Sequence, residues 1–467
     1  MLKKYLLLLL AFTYAVSNAQ VRIEKEPQWK VNFTPTSLKP NPKDISDGYF
    51  ELLVEKQYHA ELQARYTHVV REIVSASGVQ NGSEISVNYE PAYQKLVFHK
   101  ITIRRNGKEI NKLTPSAVKI SPIEQERSRF LYNGTNNASV ILEDIRKGDL
   151  IDYSYTITGE NPIFENRFFE NFYLYTNYPV SQIYLVSIVS SNRKLYSKEF
   201  NNPVKPKISS KDGLTVYEWN LILPKVHKFE DYEPEWHEGY PYVEFSEYNS
   251  WKQVVDWALP LYQRTKQPPV SLNAKIAEFK KEAGNNLDKY AELATRFTQD
   301  EIRYMGIEVG TNSHKPHAPE KVFQQRYGDC KDKSFLLCNL LAGAGIEAYP
   351  ALVNTYKKRY LNQKQPSPIA FNHVIVYANI SGNWTWIDPT ISYQRGRLVN
   401  GYIPEYGKAL VIKPGQTDLT VIPENYAGTT TITERYTIPE IGKAARLDVV
   451  SRYSVSHANT IRSTFAE

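Results

Sequence analysis

The chain of 467 residues carries 57 Lys and Arg against 50 Asp and Glu, a formal charge of +7, with 42% hydrophobic and 23% charged residues. That length suits about three domains with packed cores, and the composition excludes global disorder. The positive charge is mild and no dense Lys/Arg block occurs, which gives nucleic-acid binding little support. Residues 1–19 read as a secretory signal: Lys3 and Lys4, an apolar run over 5–16, then the small-residue site Ser17-Asn18-Ala19. The run is short for a membrane span, no cysteine follows it to carry a lipid, and no other stretch is apolar and long enough to cross a bilayer. An exported protein without a transmembrane segment, periplasmic or extracellular, is expected. Export permits disulfides, yet the cysteines are Cys330 and Cys338 alone. On one helix their spacing puts them about 12 Å apart, beyond the roughly 7 Å that a disulfide allows. A free thiol kept in an oxidising place fits a working residue, and Cys338 fits packing.

Residues 20–225 are rich in alternating strands. Ile85-Val87-Tyr89 alternate, Asn106-Gly107 signals a hairpin, and Ile151, Tyr153, Tyr155 and Ile157 share a face opposite Asp152, Ser154 and Thr156. Tyr217, Trp219, Leu221 and Leu223 repeat the pattern, and together these predict an antiparallel β-sandwich. Residues 226–249, rich in Pro, Glu, His and aromatics, read as an ordered linker. His227 and His237 stand there among acidic residues, at a spacing that matches no metal-ligand pattern, so a solvated linker is the reading.

Helices follow at 250–264, with Ser250 as cap, at 271–283 around Ile276 and Phe279, and at 288–298 around Tyr290, Leu293 and Phe297. The stretch 301–308 turns toward extended chain. His314 and His317 fall in a Pro-containing loop, read as lying near the cleft rather than as metal ligands. The stretch 327–350, YGDCKDKSFLLCNLLAGAGIEAYP, reads as a helix capped by Asp329 and closed by Gly345. Cys330 stands at its first turn, where free amides and the helix dipole favour a thiolate, with Lys331 and Lys333 adding positive potential. Asp332 complements the same dipole. Lys357, Lys358, Arg359 and Lys364 read as a solvated loop or a mobile cleft rim. Residues 371–389, FNHVIVYANISGNWTWIDP, predict a β-hairpin. A four-residue loop sets His373 opposite Asp388, and a two-residue loop makes them diagonal neighbours on one face.

Gly-Asp-Cys-Lys-Asp opening a helix, Asn-His-Val on a strand and Trp-Ile-Asp-Pro-Thr on the next resemble the transglutaminase-like superfamily of papain-like thiol enzymes, over roughly residues 251–404. The resemblance implies Cys330 as nucleophile, His373 as general base and acid, and Asp388 as orienting carboxylate. It also puts Tyr304 where related enzymes often help bind the oxyanion, with Gln324, at papain-type spacing before Cys330, as the rival. EDIRKGDLIDYSYTI at 143–157 resembles an uncharacterised β-domain that precedes such cores in exported bacterial proteins. The fold expected is therefore multidomain α+β: a β-sandwich at 20–225, a linker at 226–249, a papain-like transglutaminase core at 250–405, and a partial C-terminal β-segment at 420–467. Relatives usually continue into a C-terminal β-domain, so an incomplete chain is expected, with residues after about 420 packing poorly. No calcium loop or other metal signature stands out, and no cofactor is expected. The expected activity is acyl transfer through a thioester at Cys330, a peptidase or amidase acting on protein or peptide rather than a cross-linker. The alternative is a non-catalytic exported binding or assembly module with a vestigial core.

Overall fold

The computed structural model describes residues 22–264 and 270–466, so the expected leader at 1–19 lies outside the described residues. The described chain is a multi-sheet, mostly β structure with helices concentrated in its second half.

The strand-rich first half is organised on a nine-stranded sheet. It is mixed rather than antiparallel throughout: Gln182–Ser190 runs parallel to Tyr49–His59, and Arg22–Ile23 parallel to Lys95–Arg105. The predicted alternation at 85–89 holds, with Ile85, Val87 and Tyr89 buried against Phe98, Ile101, Ile103 and Ile151 of the large sheet. The second half of the same sheet packs Ile183, Leu185, Trp219 and Leu221 on Phe172, Val243 and Phe245 of a three-stranded sheet. Val243 and Phe245 belong to the strand Tyr242–Ser246, inside the stretch read as linker. Trp219 is fully buried, stacked on Phe172 at 5.0 Å, and donates its Nε1–H to the Val204 carbonyl at 3.0 Å. Trp219→Ala should cost about 3–5 kcal/mol, because deletion leaves a cavity that two facing sheets cannot close; urea unfolding followed by fluorescence checks it.

The polar side of Leu150–Thr158 is buried: Asp152, Ser154 and Thr156 are each at most 5% exposed. Glu26 covers this side, accepting from the hydroxyls of Tyr66 and Ser154. Beneath it His68 bridges Glu55 at 3.0 Å and Asp152 at 2.9 Å. Burial would lower the pKa of His68, and its hydrogen bonds to Asp152 and Glu55 outweigh that and push it up to about 9. The face is charged and buried because each charge finds a partner.

In the second half, the helix Cys330–Ala342 packs on the five-stranded sheet that contains Glu347–Val353, His373–Ile380 and Asn383–Ile387. Sequence periodicity predicts one buried stripe, yet every residue from Cys330 to Leu341 is buried. The helix Leu287–Arg296 and the sheet close over different sides of it.

Part of the stretch read as a linker is tied to the 357–364 loop. Trp236 stacks on Tyr360 at 4.4 Å, and Glu238 pairs with Lys357 at 2.8 Å and Lys364 at 3.6 Å. Lys364 also pairs with Glu244. At these contacts the two segments supply each other's counter-charges, while Phe229, Tyr232 and Arg359 stay exposed. Past residue 420, the hairpin of Thr430–Thr437 and Arg446–Tyr453 turns near Gly442 and leaves Ile432, Tyr436, Leu447 and Val449 exposed. The helix Val455–Ala466 follows, with no buried residue.

Candidate active site

The site is built on the start of the Cys330 helix. Asp329 caps it: one carboxylate oxygen accepts from the amides of Lys331 and Asp332, both at 3.1 Å. Lys333 N–H bonds the Asp329 carbonyl at 2.9 Å. The amide of Cys330 has no acceptor among the described residues, so it stays free at the positive end of the helix. At the other end Gly345, at φ 76°, closes the helix as expected, with Ile346 N–H on the Leu341 carbonyl at 3.1 Å.

Gly328 brings a second element against this start. The pair Tyr327–Gly328 runs parallel to Arg303–Tyr304, which sets Tyr304 beside Cys330. A Cβ at Gly328 would stand 2.7 Å from that of Asp332 and 3.1 Å from a Val322 methyl, so only glycine permits this approach. The next pair, Gly306–Ile307, runs parallel to Leu131–Tyr132 of the strand-rich half.

The hairpin has the two-residue loop, with Ser381 at φ 50° and Gly382 at φ 84°, the backbone of a type I′ turn. Val376 opposes Ile387, so Asp388 lies diagonally from His373 on one face. His373 Nε2 meets Asp388 Oδ2 at 2.9 Å, and Cys330 and His373 line the same cleft, near enough for the sulfur to act on the ring electrostatically. With Nε2 taken by the carboxylate, Nδ1 is the ring nitrogen left for the sulfur. Cys330, His373 and Asp388 are therefore brought together in that order. Cys330 is 8% exposed and Asp388 2%.

Every acceptor site of Asp388 is used. Oδ1 takes Thr390 N–H at 2.8 Å and Thr390 Oγ1 at 2.6 Å, and Oδ2 takes the Tyr406 hydroxyl at 2.6 Å beside His373. Burial would raise the carboxyl pKa, but the charge of His373 and these hydrogen bonds hold it down to about 2. Burial would likewise lower His373, but the charge and hydrogen bond of Asp388, joined by the nearby sulfur of Cys330, push it up to about 10. At neutral pH the ring is an imidazolium.

A cleft of about 700 Å³ opens over these groups, and Tyr304, Tyr262, His314 and Tyr406 line it with Cys330 and His373. Burial, then the negative charges of Cys330, Asp329 and Glu308, raise the Tyr304 pKa, so its hydroxyl remains a donor. Gln324 is not at the cleft. It is exposed on the helix Pro319–Gln325, with its amide on Glu320 at 3.4 Å. The chain turns at left-handed Arg326 (φ 62°) before reaching Cys330, which leaves Gln324 on the outside. Lys331 is buried between Asp329 and Glu308, and burial, which would lower its pKa, is outweighed by those two carboxylates. Lys333 points away, its ammonium on the carbonyls of Gln299 and Ile302. Of the expected pair only Lys331 lines the cleft. Asp332 does more than face the dipole: it accepts from the His317 backbone at 2.7 Å and touches the His317 ring at 3.1 Å.

Sequence reasoning missed three contributors. Thr390 had a signal, since an Asp followed two residues later by Thr forms an Asx-type turn. Tyr406 had none, because its contact with Asp388 is set by a loop return. Glu126, Arg129 and Leu131, which form a wall of the cleft, come from the strand-rich half.

Residues 59–225 match the family DUF3857, described as a domain of unknown function with solved structure. No curated protein matches the chain. Among solved structures the chain is similar to a "putative protease" from Parabacteroides distasonis ATCC 8503, at 16% identity and a TM-score of 0.62, over 85% of this chain and 78% of that one. At this identity the likeness shows a shared fold. A "putative cysteine protease" from Cytophaga hutchinsonii aligns at 12% identity over 61% of this chain and 88% of that one, and its TM-score of 0.24 is too low to carry an argument.

Proposed function

We propose that the protein is an exported cysteine-dependent acyl-transfer enzyme of the transglutaminase-like type, hydrolysing amide bonds in proteins or peptides. The observation that carries this reading is that Cys330 and His373 line one cleft, with the buried carboxylate of Asp388 hydrogen-bonded to His373 behind it. The neighbour named as a protease, with which the chain shares a fold, points the same way. Its domains would be those read from the sequence, with the strand Tyr242–Ser246 added to the first.

In this mechanism the sulfur attacks the amide carbonyl, an S–C bond forms, and the C=O electron pair moves to oxygen. The free amide of Cys330 and the Tyr304 hydroxyl donate to that oxyanion. The intermediate collapses, the C–N bond breaks, and His373 Nδ1 gives its proton to the departing amine. Water then attacks the thioester, His373 takes a proton from it, and breaking of the S–C bond returns the sulfur.

Iodoacetamide alkylation tests the reading. Near neutral pH, Cys330 should react about tenfold or more faster than free cysteine, and His373→Ala should remove the excess. A rate equal to that of free cysteine, unchanged in His373→Ala, sinks the proposal.

A further inference from the structure

Building on that reading, we infer that His314 reads the substrate: its Nε2 lone pair accepts a backbone N–H from an extended peptide lying in the cleft beside Cys330. His314 lines the same cleft as Cys330 and His373 but contacts neither Asp388 nor the hydrogen bonds around it. Its ring is fixed edge-on against Phe164 at 4.9 Å and Trp257 at 5.8 Å. Trp257 is itself held by donating its Nε1–H to the Ile163 carbonyl at 2.8 Å.

The tautomer of the ring follows from where Ser313 sends its proton. Ser313 Oγ accepts from Asn161 Nδ2 at 3.0 Å and can send its single proton to the Gly310 carbonyl at 2.9 Å, which also accepts from Asn161 Nδ2 at 2.8 Å. With the proton sent there, its remaining contact, His314 Nδ1 at 2.9 Å, is a bond that the ring donates, and this is the tautomer the inference takes. In that tautomer Nδ1 carries the hydrogen, and Nε2 keeps its lone pair with no partner among the described residues. Burial, helped by the nearby charge of Lys331, brings the ring's pKa down to about 4, so the lone pair persists at neutral pH. A fixed, neutral acceptor in a cleft walled by Trp257, Leu261, Tyr262 and Phe371 suits a peptide backbone, which offers N–H donors along an otherwise uncharged chain. Phe164, which touches the ring, and Asn161 and Ile163, which hold Ser313 and Trp257 against it, lie within the segment matching the domain of unknown function. That domain thereby takes part in substrate selection.

The test compares two reagents for Cys330: acetyl-Ala-Ala-Phe chloromethyl ketone, which carries a backbone, and iodoacetamide, which does not. His314→Phe keeps a ring between Phe164 and Trp257 and removes the acceptor. The ratio of the peptidyl to the iodoacetamide rate constant should fall about tenfold, the worth of one such hydrogen bond. His314→Gln, with an amide oxygen, should restore part of the ratio. An analogue with an ester in place of the amide that supplies the N–H should show no fall. A ratio unchanged in His314→Phe, or wild-type protein that takes iodoacetamide at an enhanced rate yet ignores the peptidyl reagent, overturns the inference and leaves the proposed function standing. Wild-type protein without enhanced iodoacetamide reaction overturns both.

Discussion

Replacing Cys330 by alanine should abolish turnover, by a factor on the order of a millionfold, as removal of the nucleophile from a linked catalytic set does. The variant should stay folded. The side chain loses one atom at the helix start, while the Asp329 cap, the Gly328 contact and the Asp388 bonds all lie elsewhere. His373 keeps Asp388 as its partner, so no charge is stranded. Mass spectrometry of a peptide pool incubated with wild type and Cys330→Ala provides the check. New carboxyl and amino termini in the wild-type sample alone mark hydrolysis; amine-substituted products mark transamidation. Identical pools from the two proteins would leave the thiol without a role on peptides.

Local signals made the Cys330 helix legible. An aspartate cap and a glycine stop act within one turn of their own positions, and both lie where the sequence puts them. The hairpin was legible up to its loop: the two candidate loops differ by two residues, and a shift of two keeps every side chain on its face. Only Ser381 and Gly382, both at positive φ, decide between them. What escaped depends on partners far along the chain. Glu238 meets Lys357, and Leu131–Tyr132 meets Gly306–Ile307, and no local pattern encodes either meeting. The burial of the Asp152 face was hidden for the same reason. Alternation reports polarity, and here polarity is satisfied by Glu55, His68 and Lys100 rather than by water.

Asp388→Asn should lower kcat/KM by about a hundredfold to ten-thousandfold, through the histidine it orients. The two Thr390 donors fix which side of the new amide is oxygen, since both need an acceptor where Oδ1 stands. The amide nitrogen then takes the place of Oδ2, facing Nε2–H of His373 and the Tyr406 hydroxyl, two donors against a third. The ring escapes by moving its hydrogen to Nδ1, so Nε2 accepts from the amide and a neutral imidazole faces the sulfur. The pH dependence separates this from simple loss of fold. In the wild type His373 lies near 10 instead of the ordinary 6.5. Its pairing with Asp388 therefore stabilises the fold fully below pH 6.5 and ceases to do so as pH rises through about 10. Hydrolysis, which needs the imidazolium to protonate the leaving amine, should fall over the same upper range. In Asp388→Asn that upper limit should move down by several pH units, because the carboxylate charge that held the proton is gone. A rate profile with its upper limit unmoved, in a variant unfolding at the wild-type temperature, would show that the carboxylate does not govern the ring.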